Sequence, residues 1–140
     1  YLGGTGSANK LDDYEEGTFT PVLAGSSTAG AFTYNVQEGR YVKVGKSVHV
    51  NIAIQVTATS TSPAGNMHIN GLPFTIGSSF PSFAVGWTQY ITFADQIGAY
   101  GLGTSLTLRN LLSGGNGANI QGSAFGNTFY IFIAGTYETA

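Results

Sequence analysis

The chain has 140 residues, of which 42% are hydrophobic and only 9% are charged; its net charge is −2 and it has no cysteine. This length suits one domain with its own core, and the hydrophobic content argues against disorder. The lack of cysteine excludes disulfides, thiol catalysis and zinc sites with cysteine ligands. The charge offers no basic footprint for nucleic acid, and no apolar run approaches the length of a membrane span.

The first ten residues, YLGGTGSANK, are dominated by small and polar residues and show no periodicity. They predict a linker over 1–10, with a single domain over 11–140. Four of the seven acidic residues follow at once, in the segment LDDYEEGTFTP over 11–21. Asp12–Glu16 is expected to form one short helical turn at most.

The clearest predicted strand is Ser47–Thr57, because five β-branched residues alternate there with smaller or polar ones. The residues on the expected buried face are Val48, Val50, Ile52, Ile54 and Val56. Before it, Phe32–Gln37 and Tyr41–Val44 predict a hairpin that turns at Glu38-Gly39.

Two further strands are predicted towards the end of the chain. Ser105–Leu111 alternates, with Leu106 and Leu108 inside and Thr107 and Arg109 outside. Thr128–Glu138 is apolar on both faces, which indicates a central strand covered on both sides, or one face against a partner chain. Short strands between glycine-rich turns predict an all-β fold, a β-sandwich or barrel, with a jelly-roll sandwich as the favoured architecture.

The pattern of ionisable residues predicts no catalytic residue, metal site or cofactor, and hence no enzyme. The carboxylates of the acidic segment are adjacent, whereas glycoside hydrolysis uses two that face each other about 5 to 10 Å apart. His49 and His68 lie far from any nucleophile motif and have no metal-ligand spacing. An alternative leaves Glu38 and Asp95 as the carboxylates of a polysaccharide depolymerase fragment.

Four segments carry a family resemblance. The segment NKLDDYEEGTFTP over 9–21 resembles the opening of C-terminal β-rich domains in bacteriophage tail-fibre and tailspike proteins. GRYVKVGK over 39–46, NGLPF over 70–74 and IAGTYET over 133–139 resemble later pieces of the same domains, in the same order. The resemblance implies a homotrimeric module of the virion tail, joined to an upstream fibre or spike shaft. Its implied target is a host-surface glycan, either lipopolysaccharide or capsule.

Glycan binding calls for aromatic rings that stack on sugars and for polar groups that bond to hydroxyls. The candidate contacts with this mixture are Trp87, Gln89, Tyr90, Asp95, Tyr100 and Arg109. Core packing is the alternative for Trp87. The candidate trimer contacts are Leu11, Tyr14, Phe19, Tyr130 and Phe132. Besides receptor binding, a purely structural trimerisation cap remains open; it predicts that Trp87, Tyr90 and Tyr100 are all buried.

Overall fold

The computed structural model describes residues 13–77 and 80–140, and the predicted linker and Leu11 lie outside that range. The described part consists of antiparallel strands with one short 3-10 turn at Gly122–Ala124 and no α-helix. No helix in residues 13–77 and 80–140 is long and apolar enough to cross a membrane. The strands are β1 (Tyr14–Phe19), β2 (Val22–Gly25), β3 (Ala31–Val44), β4 (Ser47–Thr61), β5 (Met67–Asn70), β6 (Ser82–Ile91), β7 (Gln96–Leu102), β8 (Ser105–Leu111), β9 (Ala118–Asn119) and β10 (Phe125–Glu138).

Hydrogen bonds join these strands into one sheet in the order β1-β3-β4-β10-β6-β7-β8-β5-β2, with β9 paired to β8. The sheet curls, so that the inner faces of its two halves share one core. Val50 and Ile54 of β4 and Phe129 of β10 are buried in the same cluster as Met67 of β5 and Leu106 of β8. The all-β prediction is confirmed. The continuous ladder does not establish the sandwich or the jelly roll, and the homotrimer stays a prediction.

Strand β4 confirms the period-two prediction, because all five of its expected core residues are buried. The prediction for β3 is wrong: the chain does not turn at Glu38-Gly39 but continues as one strand. Gly39 pairs with Phe19 on one side and Ile52 on the other. The turn comes later, at Gly45 and Lys46, where Gly45 has the positive φ of 59° that a tight hairpin requires. Of the predicted helical turn Asp12–Glu16, Asp12 lies outside the described residues, and Tyr14–Glu16 are extended as the start of strand β1.

The core side of β10 and β8 agrees with the sequence prediction. Phe129, Ile131 and Ile133 are buried, and β10 lies centrally between β4 and β6. Leu106 and Leu108 of β8 are buried as expected. Thr107 is an exception, since it was expected outside but is only 6% exposed. The hydroxyl oxygen of Thr107 lies 3.0 Å from the imidazole Nδ1 of His68, its cross-strand partner. The His68 side chain therefore covers Thr107.

Candidate functional site

The outer face of the sheet, opposite the core, carries a cluster that we call the aromatic patch: Trp87, Tyr130 and Phe132. Trp87 on β6 is the cross-strand partner of Phe132 on β10. Their rings are nearly parallel, with centroids 5.3 Å apart and planes 12° apart. Tyr130 lies two positions before Phe132 on β10, on the same face, and its ring is 5.9 Å and 26° from that of Trp87. Trp87 nevertheless remains 56% exposed, so a large apolar surface faces solvent in an ordered arrangement.

A β-bulge at Gly86 directs Trp87 outward. Phe132 pairs with Trp87 and Ile133 pairs with Val85, so Gly86 has no partner in the ladder. In a regular strand, Trp87 would share a face with buried Phe83, four positions earlier, because side chains alternate along a strand. The bulge reverses the alternation and places Trp87 on the outer face instead.

Hydrogen bonds across three strands hold Tyr130 in the aromatic patch. The amide nitrogen of Gln55 on β4 donates to the Tyr130 hydroxyl at 2.9 Å. The amide oxygen of Gln55 in turn accepts a 2.8 Å bond from Asn35 on β3. The Tyr130 ring therefore has a fixed orientation, which lowers the entropy that a ligand stacking on it would have to overcome.

Beside the aromatic patch lies a depression of about 280 Å³, which we call the central depression. Its floor contains small residues on three neighbouring strands, and its rim contains longer side chains. The floor and rim residues are Ala53, Ala84, Gly86 and Ala134, with Glu38, Arg40, Asn51 and Phe132 around them. Phe132 belongs to both features, so the depression and the aromatic patch are continuous.

The polar rim of the central depression carries an exposed ion pair. The Arg40 guanidinium lies 3.7 Å from the Glu38 carboxylate, and the side chains are 75% and 63% exposed. Both project from the outer face of β3, two positions apart. Such an exposed pair adds little stability, so the two groups are available to a ligand.

A second opening, the β6–β7 cleft, lies where those strands diverge. They pair only between Ser82–Ala84 and Gly98–Tyr100. Beyond this short ladder the cleft has a volume of about 490 Å³, and Trp87, Phe93, Asp95 and Leu111 line it. The Asp95 carboxylate also accepts a 2.9 Å bond from the backbone of Ser113, which fixes its position.

The structure brings only part of the predicted glycan set together. Trp87 and Gln89 lie on the outer face of β6, and Asp95 shares the β6–β7 cleft with Trp87. Tyr90 is 63% exposed near the end of β6. Two residues lie apart from them. Tyr100 pairs with Ser82 at the other end of β6 and contacts Phe80.

Arg109 is the second outlying residue, and its side chain makes a local hydrogen bond. Its guanidinium donates a 2.6 Å hydrogen bond to the carbonyl of Gly117, across the β8–β9 connection.

The residues predicted at the trimer interface also lie in different parts of the sheet. Tyr14 is exposed on β1, whereas the Phe19 ring lies over Gly39 of its own chain. Tyr130 and Phe132, expected at a trimer contact, belong to the same patch as Trp87.

Sequence reasoning missed the rim and the floor of the central depression. Glu38 was assigned to a hairpin turn, Arg40 was not among the candidate glycan contacts, and the alanines carry no chemical signal of their own. Polar and apolar residues do not alternate with period two between Glu38 and Val44, so no local pattern placed Glu38 and Arg40 on one face.

Among the described residues, no group of three or more histidine, aspartate or glutamate side chains is placed to hold a metal ion. The central depression and the β6–β7 cleft each contain one carboxylate, Glu38 and Asp95 respectively. The outer face of the sheet combines aromatic, apolar and hydrogen-bonding side chains.

Comparison with known proteins gives two similarities, while no family model matches the chain. Over 91 residues, 64% of this chain, it is 34% identical to a capsule KN4-specific depolymerase of Klebsiella phage K64-1, and it spans 11% of that protein. The crystal structure of the Dettilon tailspike protein has the same fold, with a TM-score of 0.73 at 20% identity. That match covers 91% of this chain and 24% of the tailspike chain.

The first similarity overturns one sequence prediction. A depolymerase is an enzyme, so the expectation that the chain has no enzymatic role is contradicted. The chain spans only about a tenth of that relative and a quarter of the solved tailspike chain. Together, the two similarities support a tailspike-related domain and indicate a component of the phage virion tail, as the sequence predicted.

Proposed function

We propose that this chain is the polysaccharide-recognition domain of a phage tailspike that degrades host capsule. The observation that carries the proposal is the aromatic patch, in which Trp87 is stacked on Phe132 and still 56% exposed. Aromatic rings stack on the apolar faces of sugars, and the adjoining polar rim of the central depression supplies hydrogen-bond donors and acceptors for sugar hydroxyls. The similarity to a capsule depolymerase supports a capsular polysaccharide as the ligand.

The orientation of the patch supports a role in binding rather than in the core. A Trp87 side chain buried within the sheet would stabilise the fold and contact no ligand. Here it lies on the outer face, next to the central depression and the β6–β7 cleft. A saccharide chain lying across β10 and β6 would contact all three features, which suits an extended polymer.

Binding is tested by titration calorimetry with purified KN4 capsular polysaccharide and with capsules of other Klebsiella types. We expect one of these capsules to bind, and Trp87→Ala to abolish detectable heat while the protein stays folded. Release of reducing ends from the bound capsule tests cleavage in the same samples, with Asp95→Asn and Glu38→Gln as variants. Binding that is indifferent to Trp87 would overturn the assignment of the patch.

A second candidate is trimerisation of the tailspike, and a separate observation favours it. At the β1–β3 end of the outer face, Tyr14, Val42 and Val44 are 48%, 37% and 44% exposed and lie on adjacent strands. A second chain that packs on an edge strand and its neighbour would bury such exposed apolar side chains. This cluster is distinct from the aromatic patch, so the two functions can be tested separately by substitution.

A further inference from the structure

The central depression is built to accept something flat and small. Its floor is formed by Ala53, Ala84 and Ala134, which lie on the adjacent strands β4, β6 and β10. Because these side chains end at Cβ, the surface dips between the Phe132 ring and the β3 side chains. The volume of about 280 Å³ lies just below the usual range for small-molecule sites, which favours one sugar ring over a larger group.

The rim supplies complementary hydrogen-bonding groups. The Glu38 carboxylate only accepts, the Arg40 guanidinium only donates, and the Asn51 amide does both. Sugar hydroxyls donate and accept at once, so neighbouring hydroxyls of one ring match this mixture. The apolar C–H face of the same ring would lie against the alanine floor and Phe132.

The charge of the rim discriminates among sugars. The carboxylate of Glu38 already lies 3.7 Å from the Arg40 guanidinium, so the pair presents no net positive charge. A sugar carboxylate would have to displace Glu38 from Arg40 and then lie beside it, and like charges at that distance repel. A neutral ring meets no such penalty.

From these contacts we propose that the central depression is a subsite for one neutral hexose unit of the polysaccharide, and that Glu38 excludes acidic sugars from it. This inference rests on the proposed function and adds the class of sugar and the residue that selects it. The aromatic patch then holds the neighbouring part of the chain, through its contact with the depression at Phe132.

The test uses ¹⁵N-labelled protein titrated with methyl β-galactopyranoside, methyl β-glucopyranoside and methyl β-glucuronide. We expect a neutral glycoside to shift the amide signals of Ala53 and Ala134, with affinity about threefold or more above that of the glucuronide. Filling the floor with Ala134→Leu or Ala53→Leu should lower that affinity about tenfold. Thr57→Leu, on the same face of β4 outside the depression, is the matched control and should bind as the wild type does.

Glu38→Gln provides the sharper outcome, because it frees Arg40 while keeping the size of the side chain. Affinity for the glucuronide should rise to at least that for the neutral glycosides. The proposal is overturned if the wild type prefers the glucuronide, if no glycoside shifts these amides, or if both leucine variants bind normally. In each of these cases the Trp87→Ala variant decides about the proposed function separately. If Trp87→Ala loses capsule binding, the proposed function stands without the subsite. If Trp87→Ala binds capsule unchanged, the proposed function is rejected as well.

Discussion

The ring of Phe19 on β1 lies directly over Gly39, its cross-strand partner on β3. A Cβ added at Gly39 would stand 2.5 Å from the ring, far inside normal contact. Glycine is therefore required at this position for space rather than for a turn. The pair two positions along the ladder repeats the arrangement, with Tyr41 lying over Gly17. These pairs attach the edge strand β1 to the rest of the sheet.

Gly39→Ala should accordingly destabilise the protein, because Phe19 must leave its site to make room. We expect a loss of about 1 to 3 kcal/mol in the free energy of unfolding, the usual cost of overpacking. Urea denaturation gives the value. Gly126→Ala in β10 is the control, since its Cβ would meet neighbours only at 3.5 Å. Equal stability of the two variants would contradict the packing argument.

Trp87→Ala should separate binding from folding. The side chain is more than half exposed, so truncation should cost about 1 kcal/mol of stability or less. Capsule binding, measured by calorimetry, should be lost. Phe80→Ala is a matched control, because Phe80 is 60% exposed but contacts Tyr100 instead of the aromatic patch. If Trp87→Ala instead unfolds the protein, and the refolded variant binds capsule normally, the role of Trp87 is structural.

The homotrimer is tested by mass, through light scattering during size exclusion. We expect three times the 14.5 kDa mass of one chain. Val44→Asp with Tyr14→Asp should reduce that mass, because charges would be buried in the proposed contact. Trp87→Ser with Phe132→Ser should leave it unchanged. The reverse pattern would assign the aromatic patch to the interface, and a monomeric wild type would remove the trimer altogether.

Stability should fall at alkaline pH through Tyr137. Its hydroxyl donates a 3.0 Å bond to the carbonyl of Phe74, and burial raises the pKa of Tyr137 from 10.0 to about 12. A raised pKa means that the folded state keeps the proton longer, so this contribution is complete below pH 10 and is lost as pH rises to about 12. The loss corresponds to about 2 to 3 kcal/mol in the free energy of unfolding.

Denaturant titrations between pH 8 and 12 check this effect of Tyr137. Tyr137→Phe should be less stable than the wild type at pH 8 by about 1 kcal/mol, since the Phe74 carbonyl loses its partner. The difference should shrink or reverse towards pH 12, because phenylalanine does not ionise. Tyr90→Phe, at an exposed position, should follow the wild type throughout. Parallel curves for Tyr137→Phe and the wild type would rule out the titration of Tyr137 as the cause.

Local pattern was enough to predict β4 and β8, because alternation specifies which side chains can share a buried face. It failed at β3, where Gly39 resembles a turn residue. Nothing local indicates that the Phe19 ring, twenty residues away, requires the space above that glycine. A glycine that accommodates a partner and a glycine that turns the chain look alike in a sequence.

The sequence by itself determined the all-β class, the core face of β4, the apolar character of both faces of β10 and the resemblance to tailspike domains. Only the tertiary structure decided which aromatic residues meet and which side of the sheet they occupy. The bulge at Gly86 reverses the alternation of β6, and Trp87 thereby joins Phe132 instead of the core. Likewise, Glu38 and Ala134 are almost a hundred residues apart and border one depression only because β4 and β10 pair between them. Such a site depends on strand order and register, which are set by long-range pairing that short-range patterns do not encode.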